Sequence, residues 1–267
     1  MILTSTHELA IEIGGMPIVV RTDSDEFADL LQDRYGSFVH FGLEPVFELD
    51  VELIPSVTIY DDEDLTVRVD GGRWIMDRGD FHAECDPIRR RGWVRQSLNP
   101  YSIDGVLRIL HSLLLAAQGG FLVHAASAVR NGRAFLFSGV SGAGKTTISR
   151  LAPPDVLVLT DEISYVRKIA SGYDGCGTPF AGELARIGAN VSAPLAALYF
   201  LVQGAENRIQ PVPPADAARR LLRNILFFAY DESLVQMVFQ SALDFANTVP
   251  VHNLVFTPDN RVWELIQ

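Results

Sequence analysis

The feature that most constrains the fold of this chain is a glycine-rich run between an apolar segment and the start of a helical one. Gly139–Thr146 reads Gly-Val-Ser-Gly-Ala-Gly-Lys-Thr and satisfies the pattern G-x-x-x-x-G-K-[ST] in full. The apolar run Ala134–Phe137 before it is typical of a buried strand, and Thr147–Leu151 after it can begin a helix. The sequence therefore predicts a strand, a tight loop and a helix in succession, an arrangement found in α/β folds.

These residue types at this spacing indicate phosphate binding. Glycines let the backbone turn so that successive N–H groups point at phosphate oxygens, and the helix N-terminus adds positive potential. Lys145 is one of only two lysines among 22 basic residues; it supplies a mobile charge for the β- and γ-phosphates, and the Thr146 hydroxyl can ligate Mg²⁺. The predicted ATP contacts are Gly139, Ser141, Gly142, Ala143, Gly144, Lys145, Thr146 and Thr147.

Two acidic residues end the next predicted strand. Pro153 cannot continue a helix, so the helix after the loop is short, and the strand Val156–Leu159 follows it. Asp161 and Glu162 come directly after this strand. Carboxylates beside a phosphate loop can hold Mg²⁺ or accept a hydroxyl proton. A solvated strand end is the alternative interpretation.

His124 lies in an apolar segment that is predicted to pair with the strand before the loop. An Asn-Gly pair at 131–132 between two apolar runs is a strong hairpin signal, so Phe121–Val129 and Ala134–Ser138 are predicted to be antiparallel. A lone histidine in an apolar strand is more often a core residue than a site residue. The residues alone leave both interpretations open.

The stretch Val123–Val166, with its histidine, hairpin, glycine-rich loop, brief helix and acid pair, resembles the HPr serine kinase/phosphorylase family. It is also similar to ATP-dependent phosphoenolpyruvate carboxykinase, which shares that nucleotide-binding core. The resemblance implies an α/β fold with a mixed sheet (α+β) and a P-loop core of this type. It implies catalytic roles for Lys145, for Asp161 as general base or metal ligand with Glu162 beside it, and for His124 near the γ-phosphate. Thr146 and Asp161 would hold the metal.

Two departures from the family limit what the resemblance implies. The family's downstream arginine- and glycine-rich signature is not evident, and Gly177–Arg186 stands in its place, with Glu183 and Arg186 as candidate substrate-loop residues. Residues 1–95 do not match the N-terminal domain of HPr kinases, and residues 1–97 form a predicted β-rich module of unknown role, with a helix capped by Ser24. Residues 98–267 form the predicted ATP-binding domain.

Periodicity predicts further elements within the ATP-binding domain. Helices are expected over 99–118, from Pro214 to about Tyr230, and over 233–247. A closing hairpin of Asn253–Thr257 and Arg261–Leu265 is expected to follow.

Composition excludes several classes of function. A net charge of −11 repels nucleic acid, which is not an expected partner. Two scattered cysteines form neither a disulfide framework nor a zinc site. The sequence has no leader-like N-terminus and no apolar run of membrane-spanning length, so a cytoplasmic protein without a membrane partner is expected.

The leading prediction is an ATP- and Mg²⁺-dependent kinase that transfers the γ-phosphate to a hydroxyl, serine of a small protein or peptide foremost. Its partner would be that phosphoacceptor, and a homo-oligomer would fit the family. A non-catalytic ATP-binding sensor would bind nucleotide without transfer. A small-molecule kinase of the same fold would differ only in its acceptor.

Overall fold

The structure, a computed structural model, describes residues 6–55, 65–180, 188–229 and 231–267. The chain divides into two compact units. The first comprises Met1–His111 with Phe228–Glu232, and the second Ser112–Phe227 with Ser233–Gln267. The predicted boundary at residue 97, and the roles given to the parts on either side of it, stay predictions.

The first unit is built on a mixed sheet of eight strands among its described residues. They are β1 (His7–Ile13), β2 (Met16–Thr22), β3 (Val39–His40), β4 (Phe47–Leu53), β5 (Thr66–Asp70), β6 (Arg73–Arg78), β7 (Phe81–Asp86) and β8 (Arg91–Gln96). Their order is β3-β1-β2-β4-β8-β7-β6-β5, with β2–β4 and β4–β8 parallel. The helix α1 (Asp25–Tyr35) follows β2, and the Ser24 hydroxyl accepts a hydrogen bond from Phe27 N at 3.2 Å. The predicted β-rich character and capped helix are confirmed.

Two long helices begin in the first unit and end in the second, α2 (Pro100–Ala117) and α5 (Glu232–Thr248). The other elements of the second unit are β9 (Phe121–Arg130), β10 (Arg133–Ser138), α3 (Lys145–Arg150), β11 (Leu157–Thr160), β12 (Ile163–Ile169), β13 (Gly172–Cys176), β14 (Ser192–Gln203), β15 (Arg208–Pro211), α4 (Pro214–Leu222), β16 (Ile225–Leu226) and β17 (Val251–Phe256). Within the described parts of the chain, no helix has both the length and the apolar character needed to cross a bilayer.

β9 is the central strand of the second sheet. It pairs antiparallel with β10, β11, β12 and β16. β10 also pairs in parallel with β14, and β14 with β17. The pairings β9–β12, β12–β13 and β13–β14 then lead back to β10, so five strands close a ring. The predicted mixed α/β class and the predicted antiparallel pairing of β9 with β10 are confirmed.

Apolar side chains cover both faces of this sheet. On one face, Leu221 of α4 and Phe245 of α5 belong to the core. On the other, Phe137 of β10 packs with Ile148 of α3 and with Trp263. Burying one large apolar side chain stabilises a fold by about 1.5–3 kcal/mol. These contacts therefore hold β10 and α3, the elements on either side of the glycine-rich loop, in fixed positions.

Two predictions for the last third of the chain are wrong. The helix expected to run to about Tyr230 ends at Leu222, because residues 225–226 pair with the edge of β9 and form β16. The second strand of the expected closing hairpin is a 3-10 helix over Asn260–Leu265. Asp259 caps this helix by accepting a hydrogen bond from Arg261 N at 3.0 Å.

Candidate functional site

The glycine-rich loop over residues 139–144 joins β10 to α3. Gly142 and Gly144 have φ angles of 77° and 114°, in the left-handed region that favours glycine. A Cβ on Gly144 would lie 2.7 Å from the Phe256 ring, so the backbone approaches that ring more closely than any side chain would allow. The Gln203 side-chain amide donates to the Gly142 carbonyl at 2.9 Å. The ends of β14 and β17 thus brace the loop.

A cavity of about 380 Å³ opens over this loop. Its lining is His124, Ser141, Gly142, Gly144, Lys145, Thr146, Thr147, Asp161 and Glu162. Two predicted loop residues, Gly139 and Ala143, lie outside the lining. The side chain of Ala143 is buried in the core. A Cβ on Gly139 would lie 2.7 Å from the Cβ of Ala143, so Gly139 faces this core as well. The volume is within the range of small-molecule sites.

The topology of β9 explains why His124 and the acid pair meet. Along one edge of β9, β10 pairs with its C-terminal part and β16 with its N-terminal part. Along the other edge, β11 pairs with the C-terminal part and β12 with the N-terminal part. Ile163, the first residue of β12, pairs directly with His124. Asp161 and Glu162 form the turn between β11 and β12, so this turn lies beside His124.

Lys145 and His124 differ in charge. The Lys145 ammonium, in a side chain only 9% exposed, donates to the carbonyls of Gly139 and Val140 at 3.1 and 3.4 Å. Burial, and then the positive charge of Lys145, lower the pKa of His124 from 6.5, while a hydrogen bond with the Glu162 backbone opposes this shift. The His124 imidazole is therefore neutral at neutral pH.

The charges of the cavity favour a divalent cation beside any phosphate bound there. Two carboxylates, of Asp161 and Glu162, oppose the single ammonium of Lys145, so a bare polyphosphate would be repelled. Within the described residues no three His, Cys, Asp or Glu side chains form a metal-binding group. The Thr146 hydroxyl and one or two carboxylates are nevertheless the protein oxygens that Mg²⁺ uses together with phosphate and water. The residues present fit Mg²⁺.

A second cavity, of about 590 Å³, adjoins the first. It is lined by the end of α3, by residues 152–154 and 156–160 and by Gly188, and Asp161 lines both cavities. The side chain of Asp161 is only 5% exposed. Asp161 therefore stands between two spaces, each large enough for a bound group.

The candidate substrate-loop residues Glu183 and Arg186 lie outside the described residues. In contrast, sequence reasoning missed Gln203 and Phe256, which contact the loop from the ends of β14 and β17. Since β14 is parallel to β10 and β17 is parallel to β14, their carboxyl ends meet at the loop. Only the strand order, which the sequence does not contain, could have identified these two residues.

One protein family, described as SynChlorMet cassette protein ScmC, has a model that matches residues 101–267. This chain belongs to the ScmC family. The match includes every residue that lines the first cavity of this ScmC protein. No curated protein matches the chain.

One solved structure to which this ScmC protein is similar is the HPr(Ser) kinase/phosphatase from Coxiella burnetii. The two are 12% identical, and the similarity covers 54% of this chain and 85% of that chain with a TM-score of 0.31. Values this low give no basis for transferring an activity. The similarity to HPr kinases is therefore limited to the sequence motifs, whereas membership of the ScmC family rests on the family match.

Proposed function

We propose that this protein is an ATP- and Mg²⁺-dependent kinase that transfers the γ-phosphate to a hydroxyl of a protein or peptide, serine foremost. One observation supports it: a single cavity gathers the glycine-rich loop, Lys145, Thr146, His124 and the Asp161–Glu162 turn. A phosphate-binding loop alone would account for nucleotide binding but not for transfer of a phosphoryl group. A buried carboxylate beside it supplies the base that transfer to a hydroxyl requires.

The loop and Lys145 bind the phosphates in this proposal. The carbonyls of Gly139 and Val140 that now accept from Lys145 are neutral. Exchanging them for charged phosphate oxygens strengthens the hydrogen bonds of the ammonium. The Thr146 hydroxyl and the Glu162 carboxylate would hold Mg²⁺, whose chemistry is to neutralise phosphate charge.

Asp161 is the proposed base because it alone of the acid pair lines both cavities, which leaves room for an acceptor on its far side. The acceptor oxygen bonds to the γ-phosphorus as the bond from that phosphorus to the bridging oxygen of the β-phosphate breaks. The hydroxyl proton passes to Asp161, and ADP leaves. His124 positions the acid turn through its hydrogen bond with the Glu162 backbone.

The test uses γ-labelled ATP, Mg²⁺ and candidate acceptors, beginning with proteins encoded in the same cassette, since the family is named for one. We expect a labelled acceptor with the wild type and labelling at least ~100-fold weaker with Lys145→Met or Asp161→Asn. The matched control is Lys168→Met, at the other lysine of the chain, which pairs with Asp244 at the surface. It should label as the wild type does.

Calorimetric titration with MgATP separates the competing functions. Asp161→Asn should retain ATP affinity while it loses transfer. ATP binding without any labelled acceptor would favour the sensor. Undiminished labelling by Lys145→Met would reject the kinase.

A further inference from the structure

The first cavity offers ligands to phosphates and a metal but offers a nucleotide base no apolar wall. Each of the described residues that line it is a glycine or has a polar or charged side chain. The rings of a base are largely apolar, and sites for such groups combine apolar walls with a few polar atoms that fix orientation. The base of a nucleotide whose phosphates bind the glycine-rich loop therefore needs a further surface close to this loop.

A third cavity, of about 460 Å³, adjoins the glycine-rich loop. Its lining comprises residues 202–206, at the end of β14 and in the turn after it, together with residues of β15 and β17. Gln203 lines this cavity, and its side-chain amide donates at 2.9 Å to the carbonyl of Gly142, which lines the first cavity. Gln203 therefore joins the third cavity to the loop.

The third cavity lies on the side of the loop away from His124. β10, which leads into the loop, pairs with β9 along one edge and with β14 along the other. β9 carries His124, and the proposed function places the γ-phosphate on that side, next to Asp161. The rest of the nucleotide then extends over the carboxyl ends of β14 and β17, the ends of parallel strands at which α/β folds bind ligands.

The floor of the third cavity is apolar on the side of the loop. Val202 and Val255 are direct partners in the parallel pair of β14 and β17, so their side chains lie on the same face of the sheet. Val202 is 38% exposed. Because neighbouring strands are ~4.8 Å apart, the two valines form a continuous apolar surface on which a flat ring can lie.

Two amide side chains continue this floor. Asn253 and Gln210 are direct partners in the pair of β15 and β17, and Asn253 lies two residues before Val255, on the same face. The Arg220 guanidinium donates to Asn253 Oδ1 at 2.6 Å, so the amide N–H groups of Asn253 are left for another acceptor. Amides that both donate and accept match the N6 and N7 edge of adenine, whereas guanine presents two acceptors there.

The charged residues of the lining balance each other. Glu206 and Arg208 contribute one negative and one positive charge. A cavity without net charge does not concentrate phosphate or metal ions, but it accepts a neutral ring. The chemistry of the third cavity therefore fits a base better than it fits a further phosphate.

We propose that the third cavity binds the base of ATP, with the ring on Val202 and Val255 and the amino edge at the amides of Gln210 and Asn253. This inference rests on the proposed function for the presence of ATP at the loop, and it adds the base site and a preference for adenine. Asn253 precedes Phe256, which contacts the loop, by three residues of β17, or about 10 Å. The sugar and base of a nucleotide can cover that distance.

Calorimetric titration with MgATP, MgGTP and magnesium tripolyphosphate tests the base site without any phosphate transfer. The wild type should bind MgATP about tenfold more tightly than MgGTP, and also more tightly than tripolyphosphate. Val202→Gln interrupts the apolar floor and Gln210→Leu removes an amide, so each should weaken MgATP binding about tenfold. Both should leave tripolyphosphate binding unchanged, and Gln210→Leu should also lose the preference over MgGTP.

Matched controls are Val235→Gln and Gln236→Leu, which make the same two changes at exposed residues of α5. Both should bind all three ligands as the wild type does. An ATP analogue with a photoreactive azido group on its base gives a direct readout, because photolysis attaches it to the residues that the base contacts. Mass spectrometry should locate the attachment within residues 202–210 or 251–256, and excess ATP should prevent it.

The outcomes separate this inference from the proposed function. Equal affinities for MgATP and MgGTP, or equal effects of the cavity and control substitutions, would overturn the base site and leave phosphate binding at the loop intact. Photolabelling confined to other residues would do the same. MgATP binding with the expected base preference but without transfer would uphold the base site and reject the kinase. Absence of MgATP binding by the wild type would reject both.

Discussion

Gly142 and Gly144 both have positive φ angles, but they differ in what a side chain would meet. A Cβ on Gly142 has nothing within 4 Å, whereas one on Gly144 would lie 2.7 Å from Phe256. Gly142→Ala should therefore cost only backbone strain, ~1 kcal/mol of unfolding free energy. Gly144→Ala adds overpacking and should cost ~2–4 kcal/mol. The midpoint of urea unfolding measures both.

Phe256→Leu gives this prediction an internal control. Combined with Gly144→Ala it removes the clash, so the pair of changes should cost less than the sum of the two single changes. Combined with Gly142→Ala it should be additive. Equal costs for the two glycine substitutions would mean that Phe256 does not set the position of the loop.

The two lysines of the chain allow the pKa of His124 to be tested. Burial is the larger cause that lowers the pKa of His124 from 6.5, and the charge of Lys145 is the second. Lys145→Met should therefore move the titration of His124 to higher pH. Lys168→Met should leave it unchanged. The measurement is the ¹H NMR titration of the imidazole, assigned by the signal missing in His124→Gln. An equal response to both lysine substitutions would contradict the described geometry.

The residues of the first cavity could be predicted because the phosphate-loop pattern fixes residue types at fixed spacing. Asp161 and Glu162 followed from a strand that ends in acids, and the Asn-Gly turn at 131–132 brought His124 beside the loop. The structure places all of these residues around one cavity.

At the scale of elements, the 3-10 helix over Asn260–Leu265 shows where sequence reasoning fails. The turn residues Pro258-Asp259-Asn260 favoured a hairpin with a second strand over Arg261–Leu265, but Trp263 is buried against α3, and its indole N–H donates to Ile148 O at 3.2 Å. Tertiary contacts decided the conformation, and turn residues that precede a short segment do not represent those contacts.

Arg130, at the end of β9, connects the β9–β10 hairpin to this 3-10 helix through hydrogen bonds. Its guanidinium donates to the Ile266 carbonyl at 2.8 Å, to the Trp263 carbonyl, and to Asp155 at 2.8 Å. Because hydrogen bonds from a charged donor contribute roughly 1.5–3 kcal/mol, Arg130→Met should lower the unfolding free energy by ~2–3 kcal/mol. Chemical denaturation followed by tryptophan fluorescence measures it.

Arg133→Met is the matched control, since Arg133 pairs with Arg130 across the hairpin and is exposed. It should change the unfolding free energy by less than ~0.5 kcal/mol. If both substitutions cost the same, the contacts of Arg130 with the C-terminal segment contribute nothing measurable.

At the scale of the whole molecule, the two units differ in what their sequences reveal. The family match begins at residue 101, so it leaves most of the first unit outside. Alternating strands such as β8, with every second residue exposed, predict a half-buried sheet. They carry no spacing of chemical groups from which a role could be inferred, because salt bridges such as that between Arg91 and Asp50 lie on an exposed face.

One buried histidine of the first unit should contribute to the loss of stability in acid. Burial lowers the pKa of His111, a fully buried residue of α2, to about 3. Between pH 6.5 and 3 the unfolded chain therefore binds a proton that the folded chain does not, so stability falls as pH falls. The loss attributable to this group is ~1.4 kcal/mol per pH unit, or about 5 kcal/mol at pH 3.

Urea unfolding at pH 7, 6, 5 and 4 tests this dependence. His111→Leu removes the titrating group and should flatten the slope of unfolding free energy against pH in this window by ~1.4 kcal/mol per unit relative to the wild type. His40→Asn, at an exposed histidine that faces Glu12 at 3.6 Å, should keep the wild-type slope. A wild-type slope in His111→Leu would contradict the prediction. It would mean that the His111 imidazole gains its proton in the folded protein, although the fold excludes this side chain from solvent.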